Sequence, residues 1–117
     1  RCGGTLAEEL ELGGLILRHR AKAGEIRPEL SGHYHPRLQL KVRQRHIRRP
    51  CAVVSANDGP GGKPGGRMIL PAFGAFTGGM DAADPAILKA LQPAERIDAV
   101  VPARGQLARF NLWNRAA

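Results

Sequence analysis

Short alternating runs of apolar and polar residues, broken by glycine and proline, dominate the chain. Thr5 to Leu12 (T-L-A-E-E-L-E-L) alternates imperfectly, and Leu15-Ile16-Leu17-Arg18-His19 follows Gly13-Gly14. Two apolar runs joined by Gly-Gly predict a β-hairpin; a helix over 5–12 is the competing reading. Residues 21–28 read as a polar loop. Glu29 to Gly32 reads as a short buried strand, stopped by Gly32 and Pro36. Arg37 to Arg43 alternates strictly and predicts a half-buried strand with Arg37, Gln39, Lys41 and Arg43 on one face. Arg45 to Arg49 reads as a basic turn, and Cys51 to Val54 as an apolar strand.

The second half is more punctuated. Residues 57–66 hold five Gly and two Pro, which predicts a flexible connection between two strands. Arg67 to Leu70 resumes a strand. Pro71 to Met80 (P-A-F-G-A-F-T-G-G-M) is apolar and glycine-rich, a composition suited to a turn packed near a site. One helix is predicted over 84–92. Asp84 is its N-cap, Pro85 its first residue, Ile87, Leu88 and Leu91 its apolar face, and Pro93 its stop. Ile97–Val101 and Leu107–Leu112 form a closing strand pair around Gly105. Seven or eight short strands with one helix make a β-rich unit, α+β or α/β in class, within a single domain over 1–117.

Composition narrows the function. Eighteen Lys and Arg against ten Asp and Glu give a net charge of +8, which favours an anionic partner such as nucleic acid. No stretch approaches the ~20 apolar residues that span a bilayer, so no membrane role is expected. The start, Arg1-Cys2-Gly3-Gly4, has no signal-peptide core, and two cysteines are too few for a disulfide scaffold. A reduced, cytoplasmic setting is the expectation. The sequence has no initiator Met and opens as a piece of something longer.

The chemistry concentrates in Ser31-Gly32-His33-Tyr34-His35-Pro36. Two histidines at i and i+2 share a side of an extended segment and can converge on one point if the segment turns. Imidazole is a common ligand of divalent first-row metals, and Gly32 allows close backbone approach. The spacing alone is also satisfied by two surface histidines. His19 ends an apolar run and matters only if the fold brings it to His33 and His35. Arg37, Lys41, Arg43, Arg45, Arg48 and Arg49 form a basic cluster that either holds a phosphate backbone or is a solvated sheet face. Cys51 reads as an inert core thiol. Neither a phosphate-binding loop nor a nucleophile elbow occurs.

Gly32-His33-Tyr34-His35 is the G-H-x-H motif, which resembles the last metal-binding motif of the calcineurin-like metallophosphoesterases. It comes with Leu17-Arg18-His19 upstream, then Arg48-Arg49-Pro50-Cys51, then L-P-A-F-G-A-F-T-G-G over Leu70 to Gly79. This ordered set is similar to the ligase-associated DNA damage response endonuclease branch, PdeM, over residues 3–81. That branch usually follows the upstream histidine with Glu-Pro, where this chain has Arg20-Ala21.

The resemblance implies a β-sandwich flanked by helices, with two divalent metal ions, commonly manganese, that activate water for attack on a phosphoester. It implies metal ligands at His33, His35 and His19; beside them the basic cluster offers phosphate or DNA contacts at Arg37, Arg43, Arg45 and Arg48. A loop beside the site would include Gly32, Phe73, Gly74, Thr77 and Gly78. The early motifs D-x-H, G-D-x-x-D and G-N-H-[DE] are absent. The chain therefore resembles the C-terminal half of such a domain, with no catalytic residue of its own, and half a sandwich would self-associate when isolated. The implied activity is a DNA endonuclease or phosphodiesterase working in repair with a DNA ligase and helicase. Two alternatives stay open: a catalytically incomplete, basic nucleic-acid-binding module, and a small-molecule phosphodiesterase.

Overall fold

The computed structural model of the protein describes residues 9–42, 44–58, 64–71 and 79–115. In chain order the elements are β1 (Glu9–Leu12), β2 (Leu15–Arg20), β3 (Glu29–Gly32), β4 (Pro36–Val42), β5 (Arg45–Pro50), β6 (Ala52–Asp58), β7 (Pro64–Ile69), β8 (Met80–Asp81), α1 (Pro85–Ala90), β9 (Arg96–Ala103) and β10 (Gln106–Asn114). They form a seven-stranded mixed sheet, β1-β2-β3-β7-β6-β9-β10, and a three-stranded mixed sheet, β5-β4-β8. Among the described residues α1 is the one helix, and no helix is long and apolar enough to cross a membrane.

The local signals explain most boundaries. Gly13 and Gly14 turn the β1–β2 hairpin at φ +57° and +89°, values that cost glycine nothing. Arg104 and Gly105, both at positive φ, do the same between β9 and β10. At α1 the Asp84 carboxylate accepts a hydrogen bond from the Ala86 N–H at 2.8 Å, and Pro85 follows as the first helical residue. Ile87 and Leu91 are fully buried, with Leu88 packed at their edge.

Two sequence readings need correction. Residues 45–49 are a strand, not a turn: β5 pairs antiparallel with β4 from Val42↔Arg45 to Arg37↔Pro50. Arg48 and Arg49 are exposed on this edge strand, where charge is tolerated and discourages sheet-to-sheet aggregation. The reversal lies one step earlier, where Gln44 takes φ +66°. The connection read over 57–66 is also shorter, because β6 and β7 stay paired out to Asp58↔Pro64. Strand β8 has two residues, below the length any alternation can mark.

One core cluster draws on both sheets and the helix: Val53, Ile69, Ile97, Ala99 and Val101 from the large sheet, Leu38 from the small one, Ile87 from α1 and Leu91 at its C-cap, with Cys51 among them. Burial pushes the Cys51 thiol up to about 11, as expected for an inert core residue. The same interior also holds ions. Glu29 on β3 and Arg67 on β7 are register partners with fully buried side chains. Arg67 donates to Glu29 Oε1 from Nε at 3.0 Å, and to the carbonyls of Ala90 at 2.8 Å, Lys22 and Gln92. Glu29 accepts from Arg18, which also reaches Glu25 at 3.2 Å. Burial draws the Arg67 guanidinium below its ordinary value while Glu29 pulls it back up; an arginine remains cationic throughout. This chain of charges ties β2, β3, β7 and the C-terminal end of α1 together.

Candidate functional site

The sequence-predicted histidines sit where the chain leaves the large sheet and enters the small one. Strand β3 ends at Gly32, and β4 begins at Pro36. The three residues between them, His33, Tyr34 and His35, form a tight turn closed by Tyr34 N–H to the Gly32 carbonyl at 2.9 Å. His33 and His35 have φ of +76° and +50°. Two non-glycine residues in the left-handed region within three positions store strain, which in folded proteins clusters at functional sites.

His19 reaches this turn through a β-bulge. In the parallel β2–β3 pairing, Arg18 lies opposite Ser31 and Arg20 opposite Gly32, so β2 carries one residue more than its partner across that step. A bulge re-aims a side chain out of the regular alternation. His19 Nε2 thereby comes to 3.1 Å from His33 Nδ1, with the rings edge to face at 5.0 Å. The partnership spans fourteen residues of sequence and depends on the bulge, so spacing alone did not carry it. Partial desolvation first, then the neighbouring His19, Arg20 and His35, draw His33 below the usual imidazole value. That shift favours the neutral ring, the form whose free nitrogen can bind a metal.

An open cleft of about 570 Å³ runs beside the turn, lined by His33, Tyr34, His35, Gln39, Arg48, Gly79, Met80, Asp81 and Asp84. Gln39 and Arg48 are register partners on β4 and β5 and present one cation and one amide to it. Strand β8 pairs parallel with the start of β4, and Met80 N–H donates to the His35 carbonyl at 3.2 Å. A Cβ at Gly79 would lie 2.6 Å from both the His35 carbonyl oxygen and Arg37 Nε. A Cβ at Gly32 would meet only the His19 carbonyl, at an ordinary 3.8 Å, so the tight backbone packing beside the turn is at Gly79, one of the glycines of the 71–79 segment. Arg37 is thus beside the cleft wall, and the last residue of the 71–79 segment packs at the site. Arg43, Phe73, Gly74, Thr77, Gly78 and the side chain of Arg45 lie outside the described residues. The sequence marks Asp84 only as a helix cap and Gln39 only as part of a strand's polar face, and it does not mark Asp81; the two aspartates lie 46 and 49 residues from His35, and the β4–β8 pairing brings that segment to the cleft.

Two imidazole nitrogens 3.1 Å apart match neighbouring ligands on one ion with bonds of about 2.0–2.1 Å, since such ligands stand roughly 2.9–3.4 Å apart. The pair fits one side of a metal site. Among the described residues no group of three or more His, Cys, Asp or Glu side chains completes it.

No known protein family matches the chain, and no curated protein does. Its fold is similar to the crystal structure of the Pseudomonas putida nuclease MPE, at 25% identity and a TM-score of 0.51. The similarity covers 88% of this chain and 41% of the nuclease chain, so this chain spans less than half of that protein's length.

Proposed function

We propose that this chain forms the histidine side of a metal-dependent phosphodiesterase that cleaves DNA. The observation that carries the reading is the His19–His33 pair, held 3.1 Å apart by a bulge and a strained turn at the rim of a cleft containing Arg48. The similarity to a nuclease supports it, and the net charge of +8 suits a polyanionic substrate.

His19 and His33 would hold one divalent ion, with His35 directed to a second. The remaining ligands would come from outside the described residues. When bound, such ions, manganese by the motif resemblance, supply Lewis-acid activation of water and neutralise charge at phosphorus. The chain's own residues orient the substrate. Arg48 offers a forked donor to a phosphate oxygen, and Gln39 beside it a neutral one. Arg37, packed against Gly79, extends the cationic edge. None of these reads base identity, so sequence-independent backbone binding is expected. A role in DNA repair, with a ligase and a helicase as partners, belongs to the proposal through the motif resemblance alone.

The test uses the polypeptide as its gene encodes it. Hydrolysis of DNA and of a small diester, bis-p-nitrophenyl phosphate, is measured with Mn²⁺ and with EDTA. Cleavage of DNA is expected to need the metal and to fall at least about a hundredfold in His19→Ala and His33→Ala. Arg48→Ala is expected to raise KM more than it lowers kcat. Titrating Mn²⁺ should broaden the ring protons of His19 and His33 before other signals. Salt-sensitive DNA binding that is indifferent to EDTA, with no turnover, would refute the reading and leave a basic binding module. Turnover confined to the small diester would move the substrate class.

A further inference from the structure

Strands β9 and β10 carry a charge cluster apart from the histidine turn. Asp98 on β9 is fully buried, and its register partner on β10 is Asn111. Asn111 Nδ2 donates to Asp98 Oδ1 at 3.1 Å, and the Asn111 and Asn114 amides exchange hydrogen bonds at 3.1 Å. The other carboxylate oxygen faces two cations. Arg96, two residues before Asp98 and so on the same side of β9, brings Nε to 2.9 Å from Oδ2. Arg109, diagonally across on β10, brings an Nη to 3.3 Å from the same atom. Burial pushes the Asp98 carboxyl up, and Asn111 with the two arginines more than offsets it, so the group stays ionised. The arginine side chains remain 55% and 57% exposed. Among the described residues neither guanidinium has a further partner. Two cations on one anion leave a positive charge at the surface, and each arginine retains donors that Asp98 does not use.

Chemistry and register together indicate what this pair grips. Guanidinium forks match phosphate oxygens, and a fork already held by a buried carboxylate loses little freedom on binding. The net charge of +8 favours a polyanion over a single small anion. The row Ser31, Ile69, Val53, Ala99, Phe110 crosses the large sheet from β3 to β10. β10 runs opposite to β3, so Arg109, one residue before Phe110, is level with Gly32, where the histidine turn begins. Four strand spacings of about 4.8 Å put the two about 20 Å apart at the same end of the sheet. That is close to six phosphate steps of about 3.4 Å along one DNA strand. We propose that Arg96 and Arg109, anchored on the buried Asp98, form a second phosphate-binding site that grips the DNA backbone about six nucleotides from the histidine pair. The choice of DNA rests on the function proposed above, whereas the site itself is read by binding and is separable from hydrolysis.

The test measures binding of a fluorescein-labelled DNA duplex of about 20 base pairs to the natural-length protein, in EDTA, by anisotropy over about 50–200 mM salt. In Arg96→Gln/Arg109→Gln the Kd is expected to rise about tenfold, and the slope of log affinity against log salt to flatten by about 2. That variant leaves the Asp98 carboxylate buried with Asn111 alone, so it is paired with a triple variant that adds Asp98→Asn and removes the stranded charge. The triple variant is expected to bind as weakly as the double and to keep the wild-type urea midpoint within about 0.5 M. Arg96→Lys/Arg109→Lys keeps the charge without the fork, and should keep the slope while losing part of the affinity. Lys89→Gln removes a cation from an exposed position on α1 and should change Kd less than about twofold. An unchanged Kd and slope in the triple variant would overturn the inference, as would an equal loss per charge in Lys89→Gln. Weakened binding in the arginine variants, with no metal-dependent cleavage by the wild type, would refute the hydrolytic reading and leave the phosphate site standing.

Discussion

Arg67→Met removes the cation at the centre of the interior while nearly conserving volume, so the loss it causes is polar rather than a cavity. Glu29 keeps Arg18 as a partner, but its Oε1 loses donors at 3.0 and 2.9 Å. The carbonyls of Ala90, Lys22 and Gln92 lose theirs as well. Breaking a buried pair by deleting one partner costs about 3–5 kcal/mol. The surviving Arg18 contact places the expectation near the lower end, about 3 kcal/mol. A domain of this size has roughly 6–18 kcal/mol in total, so the loss is a large share of it. Urea unfolding followed by the fluorescence of Trp113, the single tryptophan, reads it directly. With a slope of about 1.5–2 kcal/mol/M, the midpoint should fall by about 1.5–2 M. Arg67→Lys keeps the charge but cannot fork to Glu29 and three carbonyls, so it should fall between wild type and Met. A Met variant costing less than about 1 kcal/mol, or a Lys variant as damaged as Met, would sink the argument, because shape rather than charge would then govern the site.

Three further outcomes are expected. Arg27 and Arg18 hold the Glu25 carboxyl down at about 2, from 4.5, against the burial that opposes them. A depressed carboxylate stabilises the fold above pH 4.5, and that share is lost as pH falls from 4.5 through 2. With Arg27 partly exposed the loss should be about 1–2 kcal/mol, and Glu25→Gln should flatten the urea midpoint against pH over that window. Gly79→Ala drives a Cβ into the His35 carbonyl and Arg37 Nε at 2.6 Å; it should cost about 1–3 kcal/mol in urea and weaken the β4–β8 pairing, seen as faster exchange of the Met80 and Ala82 amides. Asp84→Ala removes the cap bond to Ala86 and should cost about 1 kcal/mol, restored in large part by Asp84→Ser.

Local punctuation made much of the fold legible. Gly13-Gly14, Asp84-Pro85 and Gly105 each impose a backbone geometry without help from distant residues, and the elements they bound sit where the sequence places them. The alternation of β4 marked its buried and exposed sides correctly, with Leu38 in and Gln39 out. Strand β5 was hidden because arginine density resembles a solvated turn, whereas its strand state comes from pairing with β4. The ions on the inward face of β2, β3 and β7 were hidden for a deeper reason. Charged residues rarely sit beside buried Ile16 and Ile69 on the inside of a sheet, and only the Glu29–Arg67 contact, across 38 positions of sequence, accounts for them. At the site, the G-H-x-H motif was visible. The meeting of His19 with His33 was implied by the motif resemblance, and its cause, the bulge, is a property of register that no single strand displays.

That bulge makes the length of β2 as informative as its residues. A version of the strand shorter by one position would pair with β3 without interruption, and its ladder would be the more regular for it. The histidine would then fall back into ordinary alternation and turn away from its partner across the step. Such a deletion would leave every histidine still written in the sequence and the His19–His33 contact undone. In this family of shapes, gaps in an alignment at that step carry as much meaning as substitutions.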